Sequence, residues 1–367
     1  MLFCVSTGNL VCDLIVINHL TKVGLRTMAH ARKANKSKAV VRTLPSTDTD
    51  LDRLIAKVAW MYHVRNLSQG EIAKRVKLSQ SGVSRLLEHA TSNGIVRTEI
   101  NLPVGLFIEL ENGLEEAYGM KEVYVFDVHE PKNESELVHD LGKLLAIRLA
   151  ATGIHANVVG FTSWSRSLRA TVEALKNTKN SNAKFVVEML GDVGDPAAQH
   201  EAALTTQRFS EIIFAQPKFL RVPGVVQSKE IRDGLIKNDF HVKDAFHLLD
   251  RVELALVGIG TCEIVAPLTG GDNFFTAKEF ESVQKLGAVG QVNLRFIDKN
   301  GKPVATKLDD RVIGITLKQL KQAGTRIGVA GGASKYQAIR AALRGGWINT
   351  LATDVETAKW LLVNAEQ

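Results

Sequence analysis

The sequence predicts an α/β protein in two parts: a winged helix-turn-helix unit, then a doubly wound domain built on a parallel sheet. Three observations predict it. Two helix-start signals stand about ten residues apart in Leu67–Ala90 (LSQGEIAKRVKLSQSGVSRLLEHA). Beyond Pro103, short apolar β-rich runs alternate with amphipathic helical stretches, the pattern of strands covered on both faces. The positive charge is also unevenly placed. Residues 1–100 hold 15 Lys and Arg against 7 Asp and Glu, a net +8, which leaves 31 against 32 for the rest of a chain whose total is +7.

In the first part, Ser68 is a good N-cap, Glu71 is its capping-box partner, and Leu67 with Ile72 occupies the positions of a hydrophobic staple. Ile72, Ala73 and Val76 then form one apolar stripe, with Lys74 and Arg75 outside. After Lys77 and Leu78, Ser79 offers a second N-cap, and Val83, Leu86 and Leu87 form the next stripe. Gln80, Ser81, Ser84 and Arg85 lie opposite, a short-chained polar face of the kind that lies in a DNA major groove. Upstream, Leu51, Leu54, Ile55, Val58, Ala59 and Tyr62 predict another amphipathic helix. Downstream, Asn93-Gly94 supplies a left-handed cap before an alternating run over 95–102, read as a small β-wing. Lys74, Arg75 and Lys77, with Arg53, Lys57 and Arg97, are candidates for phosphate contacts, which give affinity while the recognition face gives specificity. A helical hairpin that merely packs is the plain alternative for the two-helix pattern alone. The basic surplus favours a nucleic-acid-binding unit attached to a neutral body.

Composition bounds the rest. At 367 residues, 45% hydrophobic and 23% charged, the chain suits a globular protein of two or three units. Cys4, Cys12 and Cys262 are too few and too scattered for a disulfide framework or a zinc site, so a reducing cytoplasm is expected, with no metal and no cofactor. No run of about 18 apolar residues predicts a membrane span. The apolar run over 10–20 contains Asp13 and lacks the positive flank of a signal peptide, so export is not expected. Residues 1–48 read as a flexible basic extension, with Met28 preferred as the true start. The winged unit is placed at 49–103.

Leu106, Leu110, Leu114 and Ala117 predict a linker helix within 104–120 that ends at Gly119, either joining the domains or pairing subunits. Over 121–367 the predicted strands lie at 123–128, 157–161, 184–190, 253–260, 326–332 and 348–354. Ligands of such sheets bind beyond the carboxyl ends of the strands. The loop Gly328–Lys335 (GVAGGASK) follows a strand and opens a helix: Gly331 and Gly332 let backbone N–H groups approach an anion, and Lys335 adds a point charge. Steric need for glycine in a tight turn is an equal reading. The loop Gly160–Ser167 (GFTSWSRS) carries Thr162, Ser163 and Ser165, which could hold sugar hydroxyls or phosphate oxygens or simply cap a helix. Gly191, Gly194 and Asp298 are further candidates, the last equally a turn residue. No phosphate-binding P-loop or dinucleotide fingerprint occurs, which disfavours ATP and NAD.

Trp60–Arg97 resembles the helix-turn-helix of the SorC family of sugar-responsive bacterial transcription regulators. Ala255–Gly260 (ALVGIG), Gly287–Val292 (GAVGQV), Arg311–Leu317 (RVIGITL) and Gly328–Asp354 resemble that family's effector domain in wording and order. The likeness runs from about Leu51 to Leu362. It implies a domain related to glucosamine-phosphate deaminases and ribose-phosphate isomerases, assembly as a homotetramer or homodimer, and control of operator binding by a phosphorylated sugar, polyol or similar effector. It also places effector contacts on Thr162, Ser163 and Ser165, on Gly191 and Gly194, and on Lys335. The first loop departs from the family by lacking an additional glycine. The segment between Gly194 and Val252 does not match clearly.

Two other functions compete with an effector-controlled regulator. A phosphosugar isomerase or deaminase carrying a DNA-binding module would need a positioned acid and base. Asp192, Asp195, Asp298 and Glu263 are conceivable, but they form no recognisable constellation. A structural DNA binder would use the α/β domain only for assembly.

Overall fold

The computed structural model describes residues 48–98, 103, 105–128, 133–176, 178, 180–263 and 272–366. The reading of residues 1–47 as a basic arm, the start at Met28 and the second half of the wing lie outside them. The chain divides into two compact units, 1–100 and 101–367.

In the first unit, α1 spans Asp48–His63, α2 Gln69–Val76 and α3 Gln80–Ser92. The capping box forms: the Glu71 carboxylate accepts from the Ser68 N–H at 2.9 Å, and the Ser68 hydroxyl accepts from the Glu71 N–H. Helix α2 ends where Lys77 turns left-handed (φ 54°), and the Ser79 hydroxyl accepts from the Gly82 N–H to start α3 only three residues later. Gly94 takes the left-handed conformation (φ 70°) beyond α3. Val58, Met61, Ile72, Ala73 and Val83 form one core cluster; Ile55, Ala59 and Ala90 form another. Burying side chains such as Ile72 and Val83 stabilises the unit by about 1.5–3 kcal/mol each. One detail of α1 differs from expectation: Met61 is buried, whereas Leu51 and Tyr62 are exposed, so the inward stripe turns toward Met61 at the helix end. Ile95–Thr98 form no strand, while Val96 donates its N–H to the Ala90 carbonyl.

The second unit begins with α4 (Ile108–Tyr118), β1 (Glu122–Phe126), α5 (Glu134–Thr152), β2 (Val158–Phe161) and α6 (Arg166–Ala174). There follow β3 (Phe185–Glu188), α7 (Pro196–Ile212), β4 (Gln216–Lys218), α8 (Lys229–Asn238) and α9 (Phe240–Leu249). Next come β5 (Leu254–Val257), β6 (Ile259–Gly260), α10 (Ala277–Lys285), β7 (Ala288–Val292) and β8 (Arg295–Asp298). The unit closes with α11 (Leu317–Gln322), β9 (Thr325–Val329), α12 (Tyr336–Arg344), β10 (Thr350–Asp354) and α13 (Val355–Val363).

Seven strands pair in the order β1-β10-β9-β5-β2-β3-β4, all parallel. Alternation along each strand feeds two cores. Val158, Ala255 and Val257 join the cluster beneath α4, α9, α12 and α13, while Val159, Phe161, Leu254 and Leu256 join the one beneath α5, α6 and α7. From β2 the chain builds outward through β3 and β4; from β5 it builds the other way through β9 and β10. The winding therefore reverses between β2 and β5, and beyond their carboxyl ends lies the position at which such sheets form a ligand crevice.

The helix expected as a linker is built into this unit. Its Glu111 and Glu115 carboxylates accept the outward N–H groups of Val125 (2.9 Å) and Val123 (2.8 Å), and Tyr118 donates to the Leu361 carbonyl. The exposed edge of β1 is thereby satisfied. An element that the sequence reading missed is a separate antiparallel sheet, β6-β7-β8, whose β7–β8 hairpin turns on Asn293-Leu294.

Candidate functional site

The crevice at the winding reversal is lined by the loop after β2 and the link from β5 to β6. Phe161 and Leu256 are paired across β2 and β5, so Thr162 leaves the sheet beside Val257, the last residue of β5. A Cβ on Gly258 would stand 3.1 Å from both the Ser165 Cβ and the Thr162 Cγ2, so glycine allows the two loops to close on each other. The Gly258 N–H donates to the Thr162 hydroxyl at 3.3 Å, and that hydroxyl donates to the Asn293 Oδ1 at 2.9 Å. Thr162 and Ser163 are buried. Ser165 caps α6, its hydroxyl accepting from the Leu168 N–H.

Lys335 reaches the same place from across the sheet. Its Nζ donates to the Ile259 carbonyl at 3.3 Å, one residue from the Gly258 contact. Among the described residues that is its one hydrogen bond, which leaves two of three ammonium donors for a ligand. Burial pushes the Lys335 pKa down, the nearby Arg166 charge pushes it further, and Glu134 opposes. Arg166 is itself paired with Glu134 at 3.1 Å. A bound anion would offset both the burial and the repulsion from Arg166.

The glycine loop behaves differently from its sequence reading. The Gly332 N–H is spent inside the protein, on the Asp354 Oδ2 (3.1 Å) and the Thr357 hydroxyl (2.9 Å). A Cβ on Gly331 would fall 2.1 Å from the Asp354 Oδ2, and Gly332 sits at φ 91°. Gly331 is thus required by the packing of Asp354 and Gly332 by its positive φ, and Gly332 offers an anion no free N–H.

Gly191 and Gly194 lie beyond β3, the neighbour of β2. The Gly191 N–H bonds to the Ile313 carbonyl, and the Gly194 carbonyl accepts from the Asn273 and Gln199 side chains. Nearby, Asp192 pairs with Arg221 at 2.9 Å, and its carboxyl is pushed up to about 6, mainly by burial. Glu188 at the end of β3 is buried, accepts from the Thr206 hydroxyl and the Leu220 N–H at 2.9 Å each, and is pushed up to about 7, again by burial first. Asp298 is not brought to the crevice. Its carboxylate accepts the Asn300 and Lys302 N–H groups in a turn at the end of β8 opposite the hairpin tip, where Gly301 packs against Gly345. Asn293, by contrast, was not foreseen.

In the first unit, Gln80, Ser81 and Arg85 are exposed and Ser84 is half-buried; Lys74, Arg75 and Lys77 are exposed. Ser81 lies 3.0 Å from the Ser79 hydroxyl, and the Arg85 Nε donates to the Ser81 carbonyl, which lays the guanidinium along the helix. No group of three His, Cys, Asp or Glu suited to a metal is found among the described residues, and no helix there is long and apolar enough to cross a membrane.

A family model described as a sugar-binding domain matches residues 103–363. The sorbitol operon regulator of Klebsiella pneumoniae is 30% identical over 321 residues, covering 86% of this chain and 99% of that protein. The deoxyribonucleoside regulator of Bacillus subtilis (strain 168) is 28% identical over 315 residues, covering 86% and 99%. The crystal structure of the full-length sorbitol operon regulator SorC from Klebsiella pneumoniae superposes with a TM-score of 0.62 at 28% identity, over 85% of this chain and 98% of that one.

Proposed function

The chain belongs to the SorC family of sugar-binding transcriptional regulators, and from that premise we propose that it binds operator DNA with an affinity set by a phosphorylated sugar, polyol or related metabolite. The observation that carries the effector half is Lys335, whose ammonium stands at the winding reversal with a depressed pKa and one hydrogen bond. A phosphoryl group supplies the charge it lacks, and Ser163 and Ser165 stand in the adjacent loop for hydroxyls. The DNA half rests on two capped helices three residues apart, with Gln80, Ser81, Ser84 and Arg85 facing away from the core and Lys74, Arg75 and Lys77 placed for phosphates. The relatives named for sorbitol and deoxyribonucleosides support a sugar-type effector. An effector changes operator affinity only through unequal binding to two arrangements of the protein.

The test is an operator titration with and without the compound selected by a thermal-shift screen of phosphorylated sugars and polyols. Lys335→Ala removes a charge-assisted contact, on the order of 1.5–3 kcal/mol of effector binding. The variant should bind operator as the wild type does without effector, and need at least tenfold more effector to respond. A response at the wild-type concentration would falsify the anion role of Lys335.

A further inference from the structure

We propose that Asn293 is a specificity-determining residue of the effector crevice, its side-chain amide hydrogen-bonding a hydroxyl of the bound compound. The proposal rests on the sugar-effector reading above and adds a residue and a chemistry to it. Its basis is the β7–β8 turn, where Asn293 and Leu294 both have positive φ, 48° and 60°. A two-residue turn of this hand suits a hairpin, but its second position favours glycine, and leucine there is strained. The surroundings hold it in place. The Leu294 N–H donates to the Gln291 Oε1 at 2.8 Å, and its side chain is buried in the cluster that contains Phe275, Phe280 and Phe296. The buried Arg295 guanidinium donates to the Asp309 and Ile315 carbonyls.

A tip fixed on three sides delivers Asn293 to Thr162, whose hydroxyl bonds its Oδ1. Asn293 is 3% exposed, and its Nδ2 has no hydrogen-bond partner among the described residues. Turning the amide over would give Thr162 the Nδ2 and orphan the Oδ1, so one polar end is unsatisfied in either orientation. A buried amide end without a partner is costly, and strain beside it marks a place where a ligand completes the structure. Thr162 also accepts from the Gly258 N–H, and the next residue's carbonyl holds Lys335. The open amide end and the ammonium therefore belong to one crevice, the first suited to a neutral hydroxyl and the second to an anion.

An ordered water would satisfy the amide as well, and the experiment separates the two. Asn293→Gly keeps the left-handed turn and removes the amide. Calorimetry on the full chain would use hexitol, pentitol and aldose monophosphates, their neutral counterparts, and inorganic phosphate. We expect the tightest hydroxyl-bearing compound to weaken about tenfold, the yield of one hydrogen bond to a buried group, with inorganic phosphate unchanged. Wild-type affinity for the hydroxyl-bearing compound in Asn293→Gly overturns the proposal, as does an equal loss of inorganic phosphate. If neutral polyols bind as tightly as their phosphates and Lys335→Ala is silent, the anion reading fails, while a loss in Asn293→Gly still assigns the amide.

Discussion

Glu188→Gln should remove much of the pH dependence of the α/β unit's stability. The wild-type carboxyl is 2% exposed at the end of β3, and burial raises its pKa from 4.5 to about 7 against the two hydrogen bonds that favour ionisation. A carboxyl raised in the folded state keeps a proton that the unfolded chain gives up. Its contribution is fully present below pH 4.5 and is lost as pH rises through about 7. That span corresponds to about 3 kcal/mol. Asp192, raised to about 6 and repelling Glu188, acts in the same sense. Glutamine keeps the shape, accepts from the Leu220 N–H and donates to the Thr206 hydroxyl, but cannot ionise. Urea unfolding followed by the fluorescence of Trp164, Trp347 and Trp360 would be measured from pH 5 to pH 8. Wild type and variant should differ by less than about 1 kcal/mol near pH 5, and the variant should be the more stable by up to about 3 kcal/mol at pH 8. Parallel stability curves across that range would refute the reasoning and leave Glu188 ionised within the fold.

On the DNA side, Arg85→Ala should cost about 1–3 kcal/mol on the specific operator and relax one base position, whereas Lys74→Ala should weaken all sequences alike. Operator and random-duplex titrations read the difference; an unchanged preference in Arg85→Ala would move base recognition off this face. Paired half-sites call for paired recognition helices, so light scattering at micromolar concentration should show a dimer or tetramer, and monomers with and without effector would count against it.

Local chemistry explains which parts were legible in the sequence. The Ser68 and Glu71 capping box, the Ser79 cap, the Gly119 stop and the apolar strands are each decided by neighbours in the chain, and each stands close to where the sequence places it, except that the run at 253–260 splits into β5 and β6 of two different sheets and the run at 326–332 ends at Val329. Contacts between distant segments decided the rest. The carboxylates of α4 turn inward because β1 is an edge with N–H groups to satisfy, which no spacing within 104–120 reveals. The β7–β8 hairpin was hidden because its turn reads Asn-Leu, not Asn-Gly, and packing of Leu294 supplies what the local signal lacks. Of the site, Lys335 and Thr162 bond to adjacent residues of the β5–β6 link. The glycines beside Lys335 serve Asp354 first, a partner more than twenty residues away. Asp298 carries a turn signal and makes a turn.

An effector site and an isomerase or deaminase site ask different things of the loops at the carboxyl ends of the strands. Isomerisation or deamination needs a carboxylate or comparable base free to take a proton from the bound compound. Four carboxylates near the carboxyl ends of the strands are already engaged. Asp354 holds Gly332 and Thr357, Glu188 holds Thr206 and Leu220, Asp192 faces Arg221, and Glu134 faces Arg166. The Lys335 ammonium and one end of the Asn293 amide have capacity to spare among the described residues. A cation and a neutral amide can fix an anion and a hydroxyl in register. Binding energy in such a site is available to shift a conformational equilibrium, which is what a regulator needs from its effector.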